Sequence, residues 1–489
     1  MIRKFAALAV SIVLAIAPAC AFAADAGKLK TDAAAYIDGK MKRLEQANRV
    51  IWTAAEPGLE EFKSSAELQD ILTAEGFAVE SGVAGMPTAF VATYGSGAPV
   101  IGILAEFDAL LGITQSAEAV PAPGANPMAG HACGHSIFGV GSVGGAIAVK
   151  QLIARGDIKG TVKLYGTPAE ETGIGKVYML RAGLMKDDDV ILHWHAGDEN
   201  EVPYRSSKAL INAKFRFAGA SAHASAAPYS GRSALDAVEL MSVGVQYMRE
   251  HIKQDARIHS VITQGGGQPN VVPSTAEVWY YVRANSFTDA KAYFDWTRTI
   301  AEGAAMMTQT TLAAVEVQSE THDMLMPRAL NEIIHKNFAA IGPPVWDETE
   351  VEFAATTQRN FKDPFGFDYS KAPYTLHTGL KPLAETLGEG IASTDVGDVS
   401  WFVPTGGFTV AAMGHGLPMH SWPVVAATGT SIGTKAMMVA AKVIAATAVD
   451  LYTDPAALKR VKADFKTIRE PLTWQTAIPD GQMAPVKVR

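Results

Sequence analysis

From Val100 onward the chain alternates short apolar runs with longer stretches of helical period: PVIGILAEFD, SIFGVGSVGGAIAVKQLIARG, GTVKLYGTPAEE, GIGKVYMLRAGLM and DDVILHWHAG. That cadence predicts an α/β fold built on a mainly parallel sheet with helices on both faces. VIGIL and DVIL are continuously apolar, as strands covered on both sides require. Near Ala209 the texture changes. INAKFRFAGAS leads through a helical stretch to RIHSVITQGGG and TAEVWYYVRA, where apolar and polar positions alternate as in a half-exposed antiparallel sheet with helices on one side. Residues 209–320 are therefore expected to form a separate α+β domain inserted into the first. After Glu320 the pattern returns to helix, then the strand FTVAAMGHG, then the long helix GTSIGTKAMMVAAKVIAATAVDLY, so that residues 24–208 and 321–489 make up one domain in two parts.

Length and composition agree with this division: 489 residues, 48% of them hydrophobic, supply more than one core and exclude a disordered chain. The opening MIRKFAALAVSIVLAIAPACAFAADAG places Arg3 and Lys4 before an apolar run from Phe5 to Ala17 and small residues ending at Ala23. It reads as a signal peptide over residues 1–23, cleaved near Ala23, and predicts an exported, periplasmic protein. The run falls short of the roughly 20 residues a bilayer span needs, and no membrane span is expected in the mature form. Cleavage leaves 40 basic against 50 acidic side chains, with the basic ones scattered, so nucleic acid is not an expected partner. It also leaves a single cysteine, Cys133, which has no internal disulfide partner.

That cysteine stands in GHACGHSIFG between His131 and His135. Core packing would account for a lone thiol, but polar residues recur at the ends of the predicted strands, where open α/β sheets place their functional crevice. Glu106 and Asp108 follow VIGIL, Glu170 and Glu171 follow TVKLYGT, His193 and His195 follow DVIL, and His420 follows FTVAAMG. Each alone has an ordinary structural explanation; their coincidence on one rim does not. Thiolate, imidazole and carboxylate together favour zinc or a similar transition ion over calcium or magnesium. Adjacent glutamates diverge, so one can bind metal while the other moves protons, which is the equipment of a metal-assisted amide hydrolase.

HACGH, PAEE, His195, SAHASAAPYSGRSALDAV, GGGQPNVVPSTAEVWYYVR, STDVGDVSWFVPT and PMHSW together resemble the binuclear zinc amidohydrolases and peptidases that include the hippurate, auxin-conjugate and p-aminobenzoyl-glutamate hydrolases. The resemblance covers nearly the whole mature chain. It implies a metallopeptidase-like catalytic domain, a dimerisation and lid domain at 209–320, and two divalent ions, Zn2+ or Mn2+, held by Cys133, His135, Glu171, His195 and His420. It makes Glu170 the general base for attack of a metal-bound water. It also makes His223 a catalytic residue that reaches across a dimer to stabilise the oxyanion, and Asn270 and Arg283 substrate-binding residues. Asn270-Val271-Val272-Pro273 equally suits a turn, and Arg283 equally suits a pair within the sheet. His131, His193, Glu106 and Asp108 are expected to orient the ligands by hydrogen bonds. Ser136 stands where such enzymes carry Asp or Asn, so that support is missing or replaced. The expected substrate is an N-acyl amino acid, foremost an aminobenzoyl-glutamate-type conjugate, with Lys208, Arg232 or Arg283 to meet an acidic leaving group. Two alternatives stand beside this reading: a dipeptidase or aminoacylase of other acyl preference, and a mainly structural metal-binding subunit of a heteromer. The sequence is equally compatible with a homodimer and with a heterodimer that includes a related subunit.

Overall fold

The computed structural model describes residues 25–485; the expected signal peptide lies outside them. Twelve strands follow in chain order: β1 Ala78–Ser81, β2 Phe90–Gly95, β3 Val100–Ala105, β4 Leu110–Leu111, β5 Ala129–Gly130, β6 Thr161–Gly166, β7 Val190–Gly197, β8 Ala209–Ala218, β9 Arg257–Gln264, β10 Thr275–Ala284, β11 Thr311–Thr321 and β12 Thr405–Ala411. Six of them form a central sheet in the order β1-β2-β6-β3-β7-β12. The four strands β6, β3, β7 and β12 run parallel, and the antiparallel pair β1-β2 extends one edge. The fold is thus mixed α/β with a mostly parallel central sheet.

One face of this sheet is covered by the helices Ala26–Ala54, His135–Ala154 and Ser431–Thr453, which pack on one another through Leu44, Val143 and Ile444. The latter two are apolar around their whole circumference because they are buried, and most of their length lies inside the core. On β7, Leu192, Trp194 and Ala196 point into that core, while Ile191 belongs to the core on the opposite face, so strand alternation sends His193 and His195 to the opposite side. That side carries the short helix Gly175–Arg181, the segment Val396–Ser400 and the second sheet.

The second sheet, β11-β8-β10-β9, is antiparallel throughout. The helices Ala234–Met248 and Phe287–Thr308 cover one face, where Phe215, Phe217, Val278 and Val282 are buried. The outer edge is β9, whose residues are nearly all exposed. At the return to the first domain, the His322 ring is stacked between Phe287 at 3.7 Å and Trp474 at 3.8 Å between ring centres. Its two nitrogens are engaged by Asp398 Oδ1 at 2.7 Å and the Gln475 carbonyl at 3.0 Å, which fastens the second sheet to the chain's C-terminal segment.

Candidate metal centre

Five strand ends and helix starts deliver side chains to one crevice. Gly134, with φ +80°, caps the helix that begins at His135, and a Cβ at that position would lie 2.6 Å from Ala196 Cβ. This close approach, open only to glycine, brings Cys133 against β7. Cys133 Sγ lies 3.5 Å from His195 Nε2. His420 reaches in from the other side with its backbone N–H donating to the Ala132 carbonyl at 2.9 Å, and its Nε2 stands 3.4 Å from Glu171 Oε2. Two triplets result, Cys133–His135–His195 and Cys133–Glu171–His420, each with ligand atoms within 4.8 Å of one another. Cys133 is common to both.

The donor set fits a pair of divalent transition ions. It offers one sulfur, three imidazole nitrogens and a carboxylate, and His135 Nε2 and Glu171 Oε1 are buried atoms without a hydrogen-bond partner among the described residues. Burial, with Glu171 adding, pushes the Cys133 thiol well above its usual range. Burial drives Glu171 up likewise, and holds His195 down to about 4.

Glu170 belongs to neither Cys133 triplet. It stands in the short turn Glu170–Thr172 with Oε2 4.0 Å from His135 Nε2, and burial, reinforced by Glu106, raises it to about 7. The preceding Ala169 has φ +55°, an unfavourable left-handed conformation for a residue with a side chain, and this reversal splays the two glutamates. Glu61, fully buried, holds the reversal by accepting from the Ala169 N–H at 2.8 Å and from Thr88 Oγ1 at 2.8 Å.

Over 465 residues the chain is 36% identical to one of the subunits of the p-aminobenzoyl-glutamate hydrolase of Escherichia coli (strain K12), an alignment covering 91% of this chain and 96% of that one. The chain belongs to the M20 family of metal-dependent amide hydrolases. Residues 205–306 of this M20 hydrolase match the peptidase dimerisation domain. The Xaa-Arg dipeptidase of Mus musculus is 30% identical over 92% of this chain and 95% of its own. In fold the chain resembles the aminobenzoyl-glutamate utilization protein of Klebsiella pneumoniae, with a TM-score of 0.60 at 18% identity, covering 86% of this chain and 98% of that one. It also resembles a dinuclear metal-binding M20 peptidase of Bacillus subtilis, with a TM-score of 0.53 at 18% identity, covering 85% and 99%.

Among the expected supporting residues of this M20 hydrolase, Asp108 behaves as foreseen: Oδ1 lies 2.8 Å from His135 Nδ1 and Oδ2 accepts from the Glu171 N–H at 3.0 Å. Glu106 Oε2 is 3.2 Å from His135 Nε2 without a hydrogen bond between them, and its other oxygen is held by Lys176, so it does not orient His135 in the expected way. His131 and His193 depart from the expectation. His131 Nε2 pairs with the Ile51 carbonyl at 3.1 Å, and the His193 ring packs on Gly407 with no hydrogen-bond partner for Nε2, so neither orients a ligand by a hydrogen bond. Ser136 is buried with its hydroxyl unpartnered, and the support expected from that position is not provided there.

Arg283 lies at the crevice, donating to Ser393 Oγ at 3.0 Å with its Nε buried and unpartnered. Lys208 and Arg232 are committed elsewhere, the first to Asn285 Oδ1 at 2.6 Å, the second to Gln309 Oε1 at 2.8 Å and the Gly231 carbonyl. His223 and Asn270 stand exposed on neighbouring loops bridged at His223 and Val271. His223 Nδ1 accepts from the Ser225 and Ala226 N–H groups at 3.2 and 3.1 Å, which fixes Nε2 as the outward donor.

Three residues at the site escaped the sequence: Glu61, Lys176 and Asp395. Lys176 is fully buried, its ammonium 2.8 Å from Glu106 and 2.6 Å from Asp395. GIGKVYML gives no hint of this, because a lysine in an amphipathic turn ordinarily marks the solvent side. The signal lay in the pairing of an apolar stretch with acids elsewhere in the chain.

Proposed function

We propose that this M20 hydrolase cleaves the amide bond of an N-acyl amino acid, foremost an aminobenzoyl-glutamate-type conjugate, with Glu170 as general base and Cys133, His135, Glu171, His195 and His420 holding two divalent ions, Zn2+ or Mn2+. The observation that carries the reading is the division within one buried cluster: two ligand triplets share Cys133, while Glu170 stands outside both and groups instead with Glu106 and His135. Bound ions would supply Lewis-acid polarisation of the carbonyl and lower the pKa of a water. Glu170, raised to about 7 by burial, accepts a proton from the attacking water and passes it to the amide nitrogen as the C–N bond breaks. The carbonyl carbon gains the water oxygen, and the amino acid leaves as a neutral amine. Arg283 meets the carboxylate of the leaving amino acid, with Asn270 a further substrate contact. His223, its Nε2–H turned outward, stabilises the oxyanion in the partner's site.

That last role requires a dimer, and the inserted domain has a surface for one. Edge strand β9 exposes Val261 (55%) and Ile262, and the neighbouring helix Ala234–Met248 exposes Val243 and Tyr247 (72%). The partner is a second copy or a related chain; the companion subunit of the Escherichia coli hydrolase is 31% identical over 182 residues, 36% of this chain and 41% of that one. The N-terminal sequence supports export to the periplasm with cleavage near Ala23.

The test is the purified mature chain alone, loaded with Zn2+ or Mn2+ and assayed on N-acyl glutamates, N-acyl aspartates, apolar conjugates and dipeptides. Turnover led by acyl-glutamates supports the reading, and Glu170→Gln should lower it by about 10²- to 10⁴-fold with metal retained. A dipeptide preference replaces the substrate, and activity only with an added second chain replaces the role by that of a structural subunit.

A further inference from the structure

His135 enters the metal centre with its two nitrogens in different company. Nδ1 lies 2.8 Å from Asp108 Oδ1, so the carboxylate takes the Nδ1–H and leaves a lone pair on Nε2. Glu106 Oε2 stands 3.2 Å from that Nε2. No hydrogen bond joins the two atoms, and neither has another partner among the described residues, although the side chains are 0% and 1% exposed. An ionised oxygen buried without a donor is costly unless a cation meets it.

The neighbourhood is built to put that oxygen there. Glu106 directly follows β3, and a Cβ at Gly139 would lie 2.7 Å from the Glu106 carbonyl oxygen, so the bare backbone at 139 lets the helix that carries His135 close onto the strand end. The Lys176 ammonium, 2.8 Å from Glu106 Oε1, holds one end of the carboxylate. Asp395 holds the lysine in turn, accepting from Nζ at 2.6 Å and from the backbone N–H at 2.9 Å. Only Oε2 is left without a donor, beside His135 Nε2.

The spacing is that of two ligands on one ion. An ion about 2.0–2.2 Å from both a nitrogen and an oxygen sets those atoms about 2.8–3.6 Å apart at tetrahedral to octahedral angles. Pairs proposed above as ligands stand at the same kind of distance: 3.5 Å for Cys133 Sγ and His195 Nε2, 3.4 Å for His420 Nε2 and Glu171 Oε2. Glu170 Oε2, the third member of the Glu106–His135–Glu170 group, is 4.0 Å from the same nitrogen and lies beyond it.

We infer that Glu106 is a sixth protein ligand of the metal centre, binding through Oε2 the ion held by His135. The inference rests on the two-ion reading and divides it unevenly: that ion takes Cys133, His135, His195 and Glu106, the other Cys133, Glu171 and His420. Four protein ligands close a site and three leave a position open, so the open position belongs to the ion on Glu171 and His420. Lys176 is then the residue that orients Glu106, since metal-bound carboxylates are themselves held by donors.

The test is Glu106→Gln. Lys176 only donates, so the amide oxygen stays on its side, and the NH2, which cannot bind metal, replaces Oε2 beside His135. Zinc and manganese per purified chain are counted by elemental mass spectrometry after dialysis against graded chelator, in Glu106→Gln, His420→Ala, His195→Ala and the two double variants, with circular dichroism to certify folding. Glu106→Gln should weaken one ion by more than about 100-fold, beyond the effect of losing a supporting hydrogen bond, and leave the other. Added to His420→Ala, which keeps the His135 ion, it should empty the chain; added to His195→Ala, it should change nothing further. Should Glu106→Gln not fold, Glu106→Asp, which keeps the charge and withdraws the oxygen by one methylene, carries the same expectations. A loss of about 100-fold or less, or an ion retained when the change is combined with His420→Ala, overturns the ligand while the two-ion centre stands. If wild type itself binds fewer than two ions, the two-ion reading falls, and Glu106 with it.

Discussion

Replacing Lys176 by methionine would leave the Glu106 and Asp395 carboxylates buried without their shared ammonium, at sites where the side chains are at most 1% exposed. Removing one partner of a buried ion pair costs about 3–5 kcal/mol, because the remaining charge has neither water nor counter-ion. The acids answer by keeping a proton. Burial already pushes Asp395 up to about 7 with Lys176 in place, and pushes Glu106 up as well; without the lysine both rise further. A carboxyl whose pKa is raised in the folded state destabilises it only once the unfolded chain ionises. The penalty is therefore absent at low pH and grows by about 1.4 kcal/mol per pH unit for each acid as pH rises towards the folded-state value. The gap between wild type and Lys176→Met should accordingly be small at pH 5 and reach about 3–5 kcal/mol by pH 8. Urea unfolding followed by circular dichroism at both pH values, with metal chelated so that loading does not differ, measures it. Adding Asp395→Asn should return part of the loss at pH 8. A gap under about 1 kcal/mol at pH 8, or one that does not change with pH, would refute the reasoning.

Cys133→Ala should take metal content from about two ions per chain to below one, while His420→Ala, present in only one triplet, should remove about one; mass spectrometry of elemental zinc and manganese separates the two outcomes. His193 is held down to about 3, first by burial and then by His195, so the unfolded chain takes up a proton below pH 6.5 that the folded chain refuses. His193→Phe removes this term, and its stability relative to wild type should improve by about 2 kcal/mol between pH 7 and pH 5; no shift in relative urea midpoint would show that the ring is not held neutral. Mixing His223→Ala with Glu170→Gln chains should restore about a quarter of wild-type activity once protomers exchange, because half of the dimers are mixed and each has one intact site. No recovery would mean that His223 does not act across a dimer.

The parallel sheet and the second, antiparallel one were legible because their strands differ in the way burial demands: VIGIL and DVIL are apolar throughout, and TAEVWYYVRA alternates. The antiparallel β1-β2 edge and the long N-terminal helix went unread. β1 is short and largely exposed, so its residues carry little pattern. Cys133, His135, Glu171, His195 and His420 stood out because such side chains are unusual at the ends of buried strands, and the structure gathers all five. Lys176, Asp395 and Glu61 did not, because each takes its meaning from a partner remote in sequence: Lys176 and Asp395 are 219 positions apart, Glu61 and Ala169 108. His193 misled for the opposite reason. It shares a strand face with His195, but lies two residues earlier, behind the rim, where the ring meets the bare backbone of Gly407.

The left-handed residue at Ala169 sets two kinds of selection against each other. Glycine there would relieve about 1 kcal/mol of backbone cost, so a laboratory lineage screened only for heat tolerance should accept that change readily. A lineage screened for turnover should reject it, since the freedom glycine adds belongs to the hinge before the two adjacent acids proposed as general base and metal ligand. Gly58 closes the other exit, because a methyl group there would fall 2.8 Å from the Ala169 side chain. The pair of positions 58 and 169 is thus a place where durability and speed would be seen to diverge within one or two generations of mutants.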